Sequence, residues 1–369
     1  MSRKLITIST IMTLMSTSVI ADVPNVAADI APIHSLVSRV MDGVGAPKLI
    51  VQSGASPHGY RLRPSEAKAL QDADHVFWMG EELTPWLDSA IGTLASKASV
   101  TTLLDQQGVI LHDFREGALF EAHDHSAHGD DDHDDHDDHD DHDDHDDHDD
   151  HDDHDDHKDH DDHDDHDDHD DHKDHDDHDD HDDHKDHDEH DDHDDHDDHG
   201  SHDPHAWLSP ENAKLWLNII ASKLSVSDPE NAATYFMNAA AGQAEIEVMI
   251  TEVKATLKPV QGGKFIVFHD AYQYFENDFD FYASGAISLG DTSDPSPARI
   301  EKVQKRIRDE GIQCVLAEPQ FKQGLVATVM EGSDATASVI DPLGAELETG
   351  PKLYTQLIKN MAKTLRNCL

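Results

Sequence analysis

Between His123 and His199 the chain repeats the three-residue unit His-Asp-Asp, broken within the repeat by Lys158, Lys173, Lys185 and Glu189. A three-residue repeat with no apolar member fits neither the period of an amphipathic helix nor the alternation of a half-buried strand. It has no side chain whose burial could offset the entropy of ordering a chain. The expectation is a loop over residues 117–201 that is disordered when metal-free. The tract holds 26 of the 33 histidines and 45 of the 80 acidic residues. Imidazole suits zinc, copper and nickel, and a neighbouring carboxylate can accept its second ring N–H. Asp alone would make a solvated acidic linker, so so many histidines point to metal contact.

Outside the tract, 24 Lys and Arg stand against 35 Asp and Glu. That balance is mildly acidic, with no basic patch suited to nucleic acid. At the start, Arg3 and Lys4 precede an apolar run from Leu5 to Met15, and Val19 and Ala21 fit a small-residue cleavage site. Residues 1–21 therefore read as a secretory signal peptide cleaved after Ala21. No later segment is apolar and long enough to span a bilayer, and no cysteine lies near the cleavage site, so no stable membrane anchor is expected. Cys314 and Cys368 form an even pair in an exported chain, which predicts a disulfide. The remainder, about 270 residues, suffices for two lobes of roughly 100–150 residues each.

Strand and helix signals alternate on both sides of the tract. Strands are expected at Asn25 to Ile30, Lys48 to Gln52, His75 to Met79 and Val100 to Leu104. Helices are expected at Ala31 to Met41, at Ser65 to Ala73 behind Pro64, and at Glu81 to Leu94 with Pro85 in its first turn. Beyond the tract, Ser209 and Pro210 open a helix to about Leu224. Asp228 and Pro229 open an apolar-periodic stretch that Pro259 stops, a helix of about 30 residues and about 45 Å, with Gly242 as its weak point. Strands then end at His269, Glu318 and Asp341, with helices from Ala298 to Asp309 and from Leu353 to Leu365. The pattern predicts an α/β fold with mainly parallel sheets. The expected division is an N-terminal lobe at 22–227, a rigid linking helix at 228–258 and a C-terminal lobe at 259–369.

Ligands of open α/β sheets lie beyond the carboxyl ends of the strands. That rule collects His58, His269, Glu318 and Asp341, and His205 sits just before a helix start. A lone histidine is more often a packed or surface residue than a ligand, but a cleft between two lobes could gather all of these. A zinc on three histidines with an open position can hydrolyse substrates, so an enzyme is the third reading, although the chain has no HExxH motif and no nucleophile elbow; the expectation is a protein that is not an enzyme.

The segments GASPHGYRLRPSEAKALQDAD, DPHAWLSPENA, FIVFHDAYQYF, VLAEPQF and IDPLG resemble, in order, those of the zinc-binding proteins of bacterial ABC importers, the ZnuA type. The resemblance covers nearly all of the mature chain. It implies two α/β lobes joined by one long helix and a periplasmic carrier that delivers Zn2+ to an ABC permease. By motif, the family's three histidines fall on His58, His205 and His269. It also implies a His- and acid-rich loop where this tract lies and a cysteine pair like Cys314 and Cys368. A related manganese group usually has a carboxylate where His269 stands. Pro57 departs from the pattern, because many relatives place a Glu there that can complete the zinc shell. The fourth position then falls to Asp341, in the family's DPLG motif, or to water. Glu318 is expected to support the site and His202 to belong with the tract. Three imidazoles with at most one carboxylate suit zinc over manganese or magnesium. A monomer is expected. The alternative function is a periplasmic zinc store in which the tract is the main binding element.

Overall fold

The computed structural model describes residues 23–115, 120, 202–288, 295–321 and 323–369. The expected signal peptide and the His/Asp tract lie outside the described residues.

The first sheet holds β1 (Val26–Ala28), β2 (Lys48–Leu49), β3 (His75–Trp78) and β4 (Ser99–Thr102), all parallel, in the order β2-β1-β3-β4. The central β1 and β3 are buried at every position, as a parallel sheet covered on both faces requires. Helices α1 (Ala31–Val40), α2 (Pro64–Gln71) and α3 (Pro85–Leu94) connect them. α3 starts at Pro85 rather than at Glu81. Proline lacks the N–H that an interior position would use, so it sits where that N–H would be unpaired anyway.

α4 (Pro210–Ser227) is capped by Ser209, whose side chain accepts from the Asn212 N–H. Buried Asp228 then turns the chain, its Oδ2 accepting from Asn231 and from the Tyr235 hydroxyl at 2.7 Å each. α5 (Ala232–Leu257) has 26 residues, so it is about 39 Å long at 1.5 Å per residue. It buries Tyr235, Ala239, Gly242, Ile246, Met249, Val253 and Leu257, a stripe at spacings of three and four. A Cβ on Gly242 would come within 3.0 Å of Leu217 on α4 and 3.1 Å of Arg39 on α1. The residue that looks like a weakness in sequence is what lets three helices approach closely.

The second sheet holds β5 (Phe265–His269), β6 (Ala286–Ser288), β7 (Cys314–Ala317) and β8 (Thr336–Val339), again parallel, in the order β6-β5-β7-β8. Its helices are α6 (Gln273–Phe279), α7 (Pro297–Glu310), α8 (Gln323–Met330) and α9 (Leu353–Cys368). α6, β6 and α8 were not expected from the sequence, being too short to show a sustained period. α5 packs against α4, α1 and α9. One buried cluster runs through all four helices and into both sheets. Each fully buried Leu, Ile, Met or Val there contributes about 1.5–3 kcal/mol. Lobes that share such a core do not swing apart without exposing it.

Cys314 at the start of β7 and Cys368 at the end of α9 form the predicted disulfide across 54 residues. Closing a loop of that length stabilises by about 4 kcal/mol in the chain-entropy model.

Candidate metal centre

In the second sheet the chain leaves β5 toward β6 on one side and continues to β7 on the other, an order that opens a crevice beyond the ends of β5 and β7. His269 is the last residue of β5 and Glu318 follows β7. Both are buried, and His269 Nδ1 donates to Glu318 Oε1 at 2.5 Å. His205 precedes a single 3-10 turn, Ala206–Leu208. Its Nδ1 donates to Asp203 Oδ1 at 2.6 Å, and the same oxygen accepts the His205 backbone N–H at 2.9 Å. A carboxylate oxygen accepts at Nδ1 of each ring, which turns each Nε2 toward the other ring. The two Nε2 atoms lie 3.4 Å apart, within hydrogen-bond distance. Two ring nitrogens held that close, in a buried place, can share a proton or a metal ion.

His58 lies on the loop between β2 and α2 and is partly exposed. The loop is tied down on both sides of it: Trp86 Nε1 donates to the Pro57 carbonyl at 2.7 Å, and the Tyr60 hydroxyl donates to Glu66 at 2.8 Å. Glu66 is itself buried and accepts the Arg63 N–H at the start of α2. Pro57, which offers no ligand, thus anchors the loop through its carbonyl. The His58 ring lies 5.6 Å from that of His205, centroid to centroid, and the His205 and His269 rings lie 5.2 Å apart. Trp207, Phe321 and Tyr272 wall the histidines. Tyr272 is fully buried, and burial, with Glu318 and Asp341 nearby, pushes its ionisation well above the usual range.

Asp341 follows β8 and organises its own loop. Oδ1 accepts from the Leu343 and Gly344 N–H groups at 3.0 and 2.9 Å, and Oδ2 from Ala345 at 2.5 Å. Among the described residues, no group of three or more His, Cys, Asp or Glu side chains converges closely enough to hold a metal ion. The structure brings His205 and His269 together, places the His58 ring beside His205, and occupies both Asp341 oxygens with backbone N–H groups.

Two features were not read from the sequence. Asp203 stands two residues before His205 in the DPH motif, and that spacing was its signal. Its backbone N–H donates to the His112 carbonyl at 2.7 Å, beside an antiparallel bridge between Asp113 and His202, whose side chains also pair at 2.9 Å. The second is Arg115, which had no local signal. Its guanidinium spans Asp270, the residue after His269, and Glu276 on α6, and stacks 3.6 Å over the Phe120 ring. Burial pushes the Glu276 carboxyl up to about 7 against the pull of Arg115.

The family model of ZnuA, the periplasmic component A of a zinc-uptake complex, matches residues 26–368. The chain belongs to the ZnuA family. Among its relatives, the high-affinity zinc uptake system protein ZnuA of Brucella abortus (strain 2308) is 45% identical over 344 residues, covering 93% of this chain and 91% of the relative. The protein of the same name from Paracoccus denitrificans is 41% identical over 350 residues, covering 95% and 93%. A crystal structure of a ZnuA superposes with a TM-score of 0.63 at 18% identity, over 94% of this chain and 99% of that one, which supports the fold. As a ZnuA-family member the protein is a periplasmic component of an ABC import system and not an enzyme. The linking helix and the paired parallel sheets agree with the architecture that the sequence resemblance implied.

Proposed function

We propose that this ZnuA-family protein captures one Zn2+ tightly in the cleft on His58, His205 and His269, and delivers it as a monomer to its ABC permease. The observation that carries the reading is the 3.4 Å between the Nε2 atoms of His205 and His269, each ring backed by a buried carboxylate. A tetrahedral zinc with Zn–N of 2.0–2.1 Å spans about 3.3–3.4 Å between neighbouring nitrogens. Carboxylates on the far ring nitrogen fix the tautomer and raise the basicity of such ligands. His58 supplies the third nitrogen from the opposite lobe. The fourth position goes to Asp341 or to water, and the three backbone hydrogen bonds on Asp341 favour water. Burial of Asp203 and Glu318 beside the site favours a cation, and three imidazoles favour zinc among the common ones.

The test is zinc titration of the metal-depleted mature chain against a strong chelator, so that only the tightest site fills. One site of chelator-competing affinity is expected, and it should vanish when His58, His205 and His269 are all replaced by Ala. If the triple variant still holds its first zinc as tightly, the binding element is the His/Asp tract and the protein is a store.

A further inference from the structure

We infer that Tyr274 is a positioning residue for the metal site: its hydroxyl stands in for a backbone hydrogen bond between the two segments that bracket the His/Asp tract, and so fixes Asp203 behind His205. This inference rests on the zinc site proposed above and deepens it.

His112 and Asp113 precede the tract, and His202 and Asp203 follow it. The two segments run antiparallel, paired at Asp113 and His202. In an antiparallel pair, every second set of opposite residues exchanges two bonds, one N–H to carbonyl in each direction. His112 and Asp203 form such a set, and the Asp203 N–H donates directly to the His112 carbonyl at 2.7 Å. The return bond runs through Tyr274. Its hydroxyl accepts the His112 N–H at 3.1 Å and donates to the Asp203 carbonyl at 2.7 Å. A phenol has one O–H and accepting lone pairs, so it can serve both halves of that bond.

Tyr274 is the second residue of α6 and is buried, and its ring packs on the His112 imidazole with 4.6 Å between centroids. Asn212 on α4 holds the same segment two residues earlier, accepting the Ile110 N–H at 2.8 Å and donating to the Ile110 carbonyl at 3.0 Å. Tyr274 is the anchor that also holds Asp203. From there the bonds continue to the proposed ligand, because Asp203 Oδ1 accepts both the backbone N–H and Nδ1 of His205. A ligand imidazole takes its orientation from the carboxylate behind it. That carboxylate takes its own place from a main chain pinned at its N–H by His112 and at its carbonyl by Tyr274. With its hydroxyl committed to two backbone groups, Tyr274 acts on the metal through Asp203.

The experiment is Zn2+ chelator competition on the full mature chain. The chain lacking His58, His205 and His269 provides the background for metal bound elsewhere. Tyr274→Phe keeps the ring on His112 and removes only the hydroxyl. It should weaken zinc about tenfold, the lower end of the range for changes behind a ligand. Tyr274→Phe with Asp203→Asn should bind no more weakly than Asp203→Asn alone, because both changes act on one path. Tyr274→Phe with Glu318→Gln should show the two losses multiplied, because Glu318 backs the other histidine. A general loosening of the fold would multiply with both. A second measurement needs no variant of Tyr274 to fold. By linkage, filling the cleft site should slow amide hydrogen exchange at His112, and the slowing should be absent from the chain lacking the three histidines. Wild-type affinity in folded Tyr274→Phe overturns the inference. So do losses that multiply with Asp203→Asn, or exchange at His112 that ignores zinc in the cleft. A wild type with no tight site instead overturns the zinc site itself, so the two failures are distinguishable.

Discussion

The two sheets share one strand order, and each has a crevice where its chain turns from one side to the other. They use it differently. In the first sheet the position after β1 is Asp29, fully buried, with one oxygen accepting the Ile30 N–H and the other the Met79 N–H beyond β3, at 2.7 Å each. In the second sheet the end of β5 is His269, bonded to Glu318 beyond β7. The same topological point is plugged by a backbone-binding carboxylate in one lobe and holds a carboxylate-backed imidazole in the other. The first lobe instead offers His58 from a loop, partly exposed. Fold alone opens the crevice twice; the residue at the strand end decides whether it is filled by backbone hydrogen bonds or by an imidazole. The C-terminal half is pre-organised, and the N-terminal contribution is the adjustable one.

The largest effect expected is on the lobe that carries the disulfide. Reducing Cys314–Cys368 should lower unfolding stability by up to about 4 kcal/mol. Zinc affinity should hardly change, because Cys314 begins β7 and Glu318 lies beyond its other end. Denaturant unfolding with and without reductant reads the first, and chelator competition the second. A large loss of affinity would mean that the staple also shapes the site.

Next come the ligands. A zinc site contributes about 10–16 kcal/mol in all, so losing one strong ligand of four should cost about 3 kcal/mol, or a hundredfold or more in affinity. That is the expectation for His205→Ala and His269→Ala, with a smaller loss for His58→Ala. Equal losses for all three would erase the contrast between a preformed half and a loop half.

Glu318→Gln and Asp203→Asn keep the shape but remove the charge behind each imidazole. Each should weaken zinc about 10–100-fold, chiefly through faster release in stopped-flow chelator assays. Loss of affinity from the Asp203 change but not the Glu318 change would move the centre of the site away from the second sheet.

The smallest effect concerns the plugged crevice. Burial raises the Asp29 carboxyl from 3.8 to about 7, against the pull of its two N–H donors. The folded state then holds this proton more tightly than the unfolded state does. The stability it lends is full below about pH 4 and is lost as pH rises through about 7. Asp29→Asn should remove that part of the slope. The difference in unfolding midpoint between pH 5 and pH 8 should therefore shrink in the variant. An unchanged difference would show that the carboxylate ionises normally where it sits.

Much of this was legible in the residues. Alternating apolar runs, with Pro64 and Pro210 at helix starts, marked the sheets and helices, because those signals act between neighbours. The stripe from Tyr235 to Leu257 marked the long helix for the same reason. That His269 ends a strand and His205 precedes a helical turn was visible in their motifs. Other features waited for the tertiary structure. That Glu318 backs His269 depends on two strands 49 residues apart lying side by side. That Arg115 grips Asp270 depends on a contact across 155 residues. Gly242 could be judged only once Leu217 and Arg39 were seen against it. Local periodicity is set by the backbone's own geometry, a few residues at a time. The partners of a buried charge are set by the path of the whole chain, and that is where the support for the site is made.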